Sequence, residues 1–183
     1  MKKALTLLLI FSFFFANAQY NNGTLFLKDS TSLRGLIKIK TFGGIKFKSD
    51  NDSESIDYDY NKVDGFDLNG KSYRYVKNTN EITPRLLNEN IKGKISLYSN
   101  EVYNPGHTIP NGFAGGGMSF GGGSSTIYFI KINDELTRIG AKLKNKHLEL
   151  FSSCPSLTQK IENKEFKKRE VYEIVSYFND NCD

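Results

Sequence analysis

Residues 117–121 read Gly-Met-Ser-Phe-Gly, which matches the G-x-S-x-G pattern around the nucleophilic serine of some hydrolases. In that chemistry Ser119 would attack a carbonyl carbon, and His147, which follows it in the chain, would accept the serine proton. The motif works at a sharp turn between a parallel strand and a helix, whereas a glycine run precedes it here and a strand is predicted after it. A serine hydrolase that uses Ser119 and His147 is therefore an alternative hypothesis and not the leading one.

Acidic and imidazole side chains do not follow the spacing of a metal site. Residues 50–54, Asp-Asn-Asp-Ser-Glu, begin like a calcium-binding loop, but Ser55 stands where glycine is needed and Asn61 where a bidentate glutamate belongs. The two histidines, His107 and His147, have no cysteine or second histidine at zinc-ligand spacing. We expect a solvated turn at 50–54, no metal and no cofactor.

A basic cluster near the C-terminus could contact phosphate groups. Glutamates are interleaved with its cations, which is typical of a solvated helical face and not of a phosphate-binding patch. We therefore expect no nucleic-acid partner. The cations are Lys164, Lys167, Lys168 and Arg169, and the interleaved acids are Glu162, Glu165, Glu170 and Glu173.

The first 18 residues have the three parts of a secretory signal peptide. Met1-Lys2-Lys3 is positively charged, residues 4–15 are mostly apolar, and Ala16-Asn17-Ala18 is a small-x-small cleavage site. The apolar run is shorter than the ~20 residues that a membrane-spanning helix needs. We expect cleavage after Ala18 and export to the periplasm, the outer-membrane periphery or the extracellular space.

The composition describes a weakly basic chain with a thin core. Lys plus Arg number 25 and Asp plus Glu 20, which gives a net charge of +5, and hydrophobic residues make up 38% of the 183 positions. Removal of Lys2 and Lys3 with the signal leaves 23 cations against 20 acids, a net charge of +3. A chain of this length suits one domain with an appendage.

The two cysteines, Cys154 and Cys182, would then meet an oxidising compartment, and we predict that they form a disulfide. The bridge would enclose two predicted helices and stabilise the fold by roughly 3 to 4 kcal/mol in the chain-entropy picture. The alternative is a reactive thiol at Cys154, which precedes a helix whose dipole would favour the thiolate.

Outside residues 104–125, the range 24–140 follows an alternation of apolar and polar side chains, a period that predicts half-buried β-strands. Asn69-Gly70 separates two such runs and is a strong hairpin signal, because both central residues of a type I′ turn need positive φ. Short, closely spaced strands without helices between them favour an antiparallel sheet that curls into a small barrel or sandwich. We assign residues 19–140 to this β domain.

Residues 141–183 change to a helical period and predict a C-terminal segment of three helices, so the fold class is α+β. Pro155 is where the second helix would begin. The positions at helical spacing are Leu143, His147, Leu150 and Phe151 in the first helix, Leu157 and Ile161 in the second, and Val171, Ile174, Val175 and Phe178 in the third.

Residues 104–125 fit neither period. They are rich in glycine and contain two prolines, and such a run buries too little surface to offset its ordering entropy, so we predict a flexible loop. Large apolar side chains on a mobile loop would form a contact tip for an envelope protein or a membrane surface. These are Phe113, Met118 and Phe120.

Several stretches together resemble an uncharacterised group of small exported proteins of the Bacteroidetes, especially flavobacteria. The resemblance implies an envelope or extracellular location in a Gram-negative cell and assigns no catalytic or binding residue. The stretches are Ala16-Asn17-Ala18-Gln19, Val63-Asp64-Gly65-Phe66 with Tyr73 and Tyr75, residues 93–98 (Gly-Lys-Ile-Ser-Leu-Tyr), Ser153-Cys154-Pro155, and residues 175–182 (Val-Ser-Tyr-Phe-Asn-Asp-Asn-Cys).

Because no acid–base or metal constellation stands out, the sequence favours an exported, non-enzymatic protein that acts by contact. The expected surfaces are the loop at 104–125 and the lysine- and tyrosine-bearing faces of the sheet. The alternatives are the serine hydrolase described above and a small barrel that encloses an apolar ligand.

Overall fold

The computed structural model describes residues 20–40, 44–110, 117–120 and 122–182, with side chains described outside 107–121. The predicted signal peptide lies outside the described residues, as does Phe113. The chain divides into two compact units, the first ending at Gly70 and the second beginning at Lys71.

The first unit is a row of five antiparallel strands, as the period of two predicts. Buried Ile45 and Phe47 alternate with the half-exposed Lys46 and Lys48, so one face of the third strand forms core and the other meets solvent. The strands are β1 (Asn21–Leu27), β2 (Ser32–Ile39), β3 (Ile45–Lys48), β4 (Ile56–Tyr58) and β5 (Val63–Leu68), in the order β5-β1-β2-β3-β4.

A turn at Asn69-Gly70 follows β5. The φ angles are 51° at Asn69 and 73° at Gly70, so both residues have the positive φ that the sequence predicts for this dipeptide. Within the first unit, Lys46 of β3 lies opposite Asp57 of β4, which sets an acid beside a row of lysines, and Asp57 Oδ2 is 3.1 Å from Lys40 Nζ.

The second unit holds a second antiparallel row, with the order β12-β11-β8-β7-β6. Residues 86–91 belong to a strand. The strands of this row are β6 (Lys71–Val76), β7 (Arg85–Ile91), β8 (Ile95–Asn104), β11 (Gly123–Ile132) and β12 (Glu135–Gly140), and a separate hairpin contains β9 (His107–Pro110) and β10 (Gly117–Phe120).

The segment 104–125, predicted to be a flexible loop, is strand over most of its described residues. β8 continues to Asn104 and pairs there with Gly123 of β11, while β9 and β10 pair with each other. Backbone pairing does not need apolar side chains: Ser124, Ser125 and Thr126 are exposed or half-exposed and still complete the β8–β11 ladder.

Three helices follow β12: a 3₁₀ helix (Asn145–Phe151), α1 (Pro155–Glu162) and α2 (Val171–Asn181). The first is 3₁₀ and not the α-helix that the spacing suggests. Their buried side chains form one core with the β-sheet residues Ile95, Leu97 and Ile130, so the helices belong to the same compact unit as β6–β12.

The α+β class and the mainly antiparallel sheet are confirmed. The predicted barrel or sandwich is not confirmed, because the described strands of each unit form an open row. No helix among the described residues is long and apolar enough to cross a membrane.

Candidate anion-binding site

A basic cleft of about 470 Å³ lies in the second unit, where β12 leads into the 3₁₀ helix. We define the basic cleft by the polar side chains that line it, which are Arg138, Lys142, Lys144, Lys146 and His147.

The local fold follows from alternation between one apolar and two basic residues. Leu143 is buried, while Lys142 and Lys144 on either side of it are exposed. The Leu143 N–H donates to the carbonyl oxygen of Lys168 at 2.8 Å, which fixes this stretch against the chain that precedes α2. Burial of one leucine therefore holds two lysines at the solvent side of the cleft.

His147 is the buried polar residue of the basic cleft, with 3% of its surface exposed. Its Nδ1 accepts a hydrogen bond from the Lys144 N–H at 3.1 Å, so the neutral ring carries its proton on Nε2. Burial, followed by the positive charges of Lys146 and Lys144, lowers the pKa of His147. The imidazole is therefore a neutral hydrogen-bond donor at neutral pH.

The charge of the basic cleft is unbalanced. Some exposed cations of this unit pair with acids, as Lys71 does with Glu101 at 3.0 Å. Among the described residues no carboxylate pairs with the side chains of Arg138, Lys142, Lys144 or Lys146. Four cations around a concave surface attract an anion and supply several N–H donors to it.

Sequence reasoning did not select these residues, although a signal is present. Residues 136–148 contain four cations and no acid, in contrast to the mixed charges of 162–173. What the sequence does not reveal is that the chain turns between β12 and the 3₁₀ helix, which brings Arg138 and Lys146 to one cleft.

The described backbone does not give Ser119 the local structure of a hydrolase nucleophile. Ser119 lies within β10, opposite Thr108 of β9, and not at a turn between a strand and a helix. In a triad, the histidine Nδ1–H donates to a carboxylate, whereas Nδ1 of His147 accepts from the Lys144 backbone. Among the described residues, no acid has a hydrogen bond or ion pair with His147.

The predicted contact tip is described only in part. Met118 and Phe120 lie in β10, so their backbone is strand and not loop, and their side chains are outside the described part of the structure. Their role as a contact surface stays a prediction, as does that of Phe113.

Residues 50–54 form the solvated turn that the sequence predicts. Asp50 Oδ1 accepts hydrogen bonds from the N–H groups of Asp52 at 3.0 Å and Ser53 at 2.8 Å. Hydrogen bonds from Ser53, ahead of those from Asp52 and Ser49, lower the pKa of the Asp50 carboxyl. In the part of the chain that the structure describes, no three His, Cys, Asp or Glu side chains are grouped to hold a metal ion.

Cys154 and Cys182 form the predicted disulfide, with an S–S distance of 2.04 Å. The alternative of a reactive thiol at Cys154 is therefore wrong for this oxidised form. The bridge joins the start of α1 to the end of α2.

Compared with protein-family models, curated proteins and solved structures, the chain shows no significant match to any of them. The resemblance to exported proteins of the Bacteroidetes stays a prediction.

Proposed function

We propose that this protein is an exported, non-enzymatic binding protein that holds an anionic ligand in the basic cleft. The observation that carries the proposal is the set of four cations without carboxylate partners around a cavity of about 470 Å³. Cavities of roughly 300 to 1,000 Å³ are typical of small-ligand sites.

The chemistry of the cleft selects the ligand class. Arg138 offers a planar fork of donors that suits phosphate or carboxylate oxygens, whereas the lysines act as compact point charges. The buried His147 adds a neutral donor. The ligand that these donors fit is an anion with several oxygen acceptors.

Export is part of the proposal and is supported by the disulfide, since such bonds persist in oxidising compartments. The intact mass of protein recovered from a Gram-negative secretion host tests it. We expect a chain that starts at Gln19. A recovered mature species that retains Met1 to Ala18 would contradict cleavage.

Calorimetric titration with inorganic tripolyphosphate tests the cleft. We expect binding at low ionic strength that weakens as salt rises from about 0.05 to about 0.3 M, because salt screens exposed charges. The triple variant Lys142→Gln/Lys144→Gln/Lys146→Gln should bind roughly tenfold more weakly or worse, since it removes three charges near the anion.

The matched control is the triple variant of Lys28, Lys77 and Lys92 to Gln, which removes the same charge from exposed positions outside the basic cleft. It should bind like the original protein. Equal losses in the two triple variants would show a response to net charge alone and would refute the cleft.

The serine hydrolase is tested separately with a fluorophosphonate probe. We expect no labelling of the folded protein, because His147 Nδ1 is occupied by the Lys144 N–H. Labelling that disappears in Ser119→Ala would favour the hydrolase over the binding protein. The barrel that encloses an apolar ligand receives no support from the open strand rows.

A further inference from the structure

A second cavity of about 470 Å³ in the second unit differs from the basic cleft in chemistry. Most of its lining surface is apolar although lysines stand around it, and we call it the apolar cavity. Leu148 comes from the 3₁₀ helix, Ile161 from α1, and Phe166 from the chain between α1 and α2.

The apolar cavity is built by a reversal of the chain after α1. Lys164 has a φ of 64°, which turns the backbone there. The N–H groups of Glu165 and Phe166 then donate to the Lys160 carbonyl oxygen at 2.9 and 3.2 Å. The Phe166 ring packs edge-on against Tyr177 of α2, with 5.5 Å between ring centroids. The aromatic wall is thus held by backbone hydrogen bonds and by a neighbouring ring.

The rim of the apolar cavity is positively charged. It contains three lysines and one acid, Glu162. Lys168 Nζ donates to Asn145 Oδ1. The side chains of Lys164 and Lys167 have no carboxylate partner among the described residues. Two cations are therefore available beside an apolar surface.

We infer that the apolar cavity binds the acyl chain of a single-chain anionic amphiphile, a long-chain fatty acid, with its carboxylate at Lys164 and Lys167. The apolar lining suits methylenes, whose removal from water is favourable. The rim selects a negative head group over a positive one. This site is separate from the basic cleft and does not depend on the function proposed for it.

Calorimetric titration of the full, disulfide-bonded chain with dodecanoate below its micelle concentration tests the inference. We expect saturable binding, at least roughly tenfold weaker binding of octanoate because four methylenes are lost, and little binding of dodecyltrimethylammonium. Absence of dodecanoate binding, or equal binding of the cationic amphiphile, would overturn the assignment.

Charge reversal locates the head group. The double variant Lys164→Glu/Lys167→Glu should bind dodecanoate at least roughly tenfold more weakly, since two attractive charges become repulsive. The matched double variant Lys142→Glu/Lys144→Glu changes the basic cleft by the same charge and should bind dodecanoate as the original protein does. Unchanged binding in the Lys164 and Lys167 variant refutes the inference.

A third variant tests where the acyl chain of the ligand binds. Leu148→Asn places a polar group in the lining and should weaken dodecanoate binding while it leaves tripolyphosphate binding unchanged. Circular dichroism of each variant verifies the fold. The Lys142, Lys144 and Lys146 variant reports on the basic cleft and the Lys164 and Lys167 variant on the apolar cavity, so failure of the two proposals can be distinguished.

Discussion

At the scale of single residues, His147 ties stability to pH. Its folded pKa lies below the ordinary value of ~6.5, so the unfolded chain binds more protons in the window just below that value. The resulting stabilisation is present above pH ~6.5 and is lost as pH falls toward the folded pKa. We expect the melting temperature to fall between about pH 7.5 and 5.5.

The comparison variant for this prediction is His147→Asn, which does not titrate and retains an oxygen that can accept from the Lys144 N–H. Its melting temperature should depend less on pH over the same range. Calorimetry in phosphate-free buffer measures both proteins, and parallel pH profiles would show that His147 does not contribute.

Glycine is needed at position 35 in β2 because residues of the neighbouring strand β3 lie very close to it. A Cβ atom there would clash with the Lys48 carbonyl oxygen and lie 2.7 Å from Cζ of Phe47. We expect Gly35→Ala to destabilise the protein by about 1 to 3 kcal/mol through overpacking. Gly123→Ala is the control, since nothing lies within 4 Å of its added methyl group, and denaturant unfolding should show the contrast.

Gly70 matters for a different reason, because its φ is 73° and its neighbourhood is open. A β-branched residue resists this conformation, so Gly70→Val should lose more than about 1 kcal/mol of stability from backbone strain alone. Thermal melting measures it. An unchanged melting temperature would argue against the turn at Asn69-Gly70.

Residue chemistry was predictable where it depended on identity or local sequence, as for the cysteines, the Asn69-Gly70 turn and the solvated turn at 50–54. The basic cleft was not, because its cations come from β12, from the following connection and from the 3₁₀ helix. Their convergence depends on tertiary contacts such as the Leu143 N–H to Lys168 hydrogen bond, which no spacing rule reveals.

At the scale of elements, one side chain fastens α2 to the start of β8. Asn179 Oδ1 accepts from the Ile95 N–H, and Asn179 Nδ2 donates to the Ile95 carbonyl oxygen, both at 2.9 Å. Asn179→Leu removes the hydrogen-bond partners of the Ile95 N–H and carbonyl oxygen. The folded protein should lose about 1 to 3 kcal/mol of stability for each of these groups left buried without a partner.

Asn181→Leu is the matched control, because its Nδ2 bonds only the Tyr177 carbonyl oxygen at an exposed position. Chemical denaturation should rank Asn179→Leu well below Asn181→Leu in stability. Hydrogen exchange at the Ile95 amide should also accelerate in the first variant. Equal stability of the two variants would remove the role assigned to Asn179.

Element type was predictable where the period was strong, as in β3 and α2. The type of helix at residues 145–151 was not predictable, because an i, i+4 spacing of buried side chains indicates a helix without distinguishing 3₁₀ from α. Residues 104–125 were predicted to be a loop because their composition offers little apolar surface to bury. Strand residues there are held instead by the backbone ladder between β8 and β11.

At the scale of the whole molecule, the disulfide closes a loop only at the helical end of the second unit. Its cysteines are 28 positions apart. Because the cross-link restricts the unfolded chain, it stabilises the folded state by roughly 3 to 4 kcal/mol. Reduction should therefore loosen α1 and α2 before the β8–β11 ladder. Hydrogen exchange of reduced and oxidised protein measures this, and simultaneous loss of helices and ladder would contradict it.

The α+β class was predictable because the period changes from two to helical near residue 140. The shape of the sheet was not, since closure depends on which strand ends the row, and that is decided by pairings between residues far apart in sequence. The compact units likewise divide at Gly70 and not at residue 140, because the helices share a core with Ile95 and Ile130.

The position of β4 has a consequence for colloidal behaviour. It ends the first unit's row of described strands, and Ile56 on it is 55% exposed, so it is a template onto which another chain could add a strand. Two features oppose fibril growth: β4 has only three residues, and the central one is Asp57, paired with Lys40. A short edge strand that carries a charge disfavours strand-to-strand association between copies of a sheet-rich protein at high concentration.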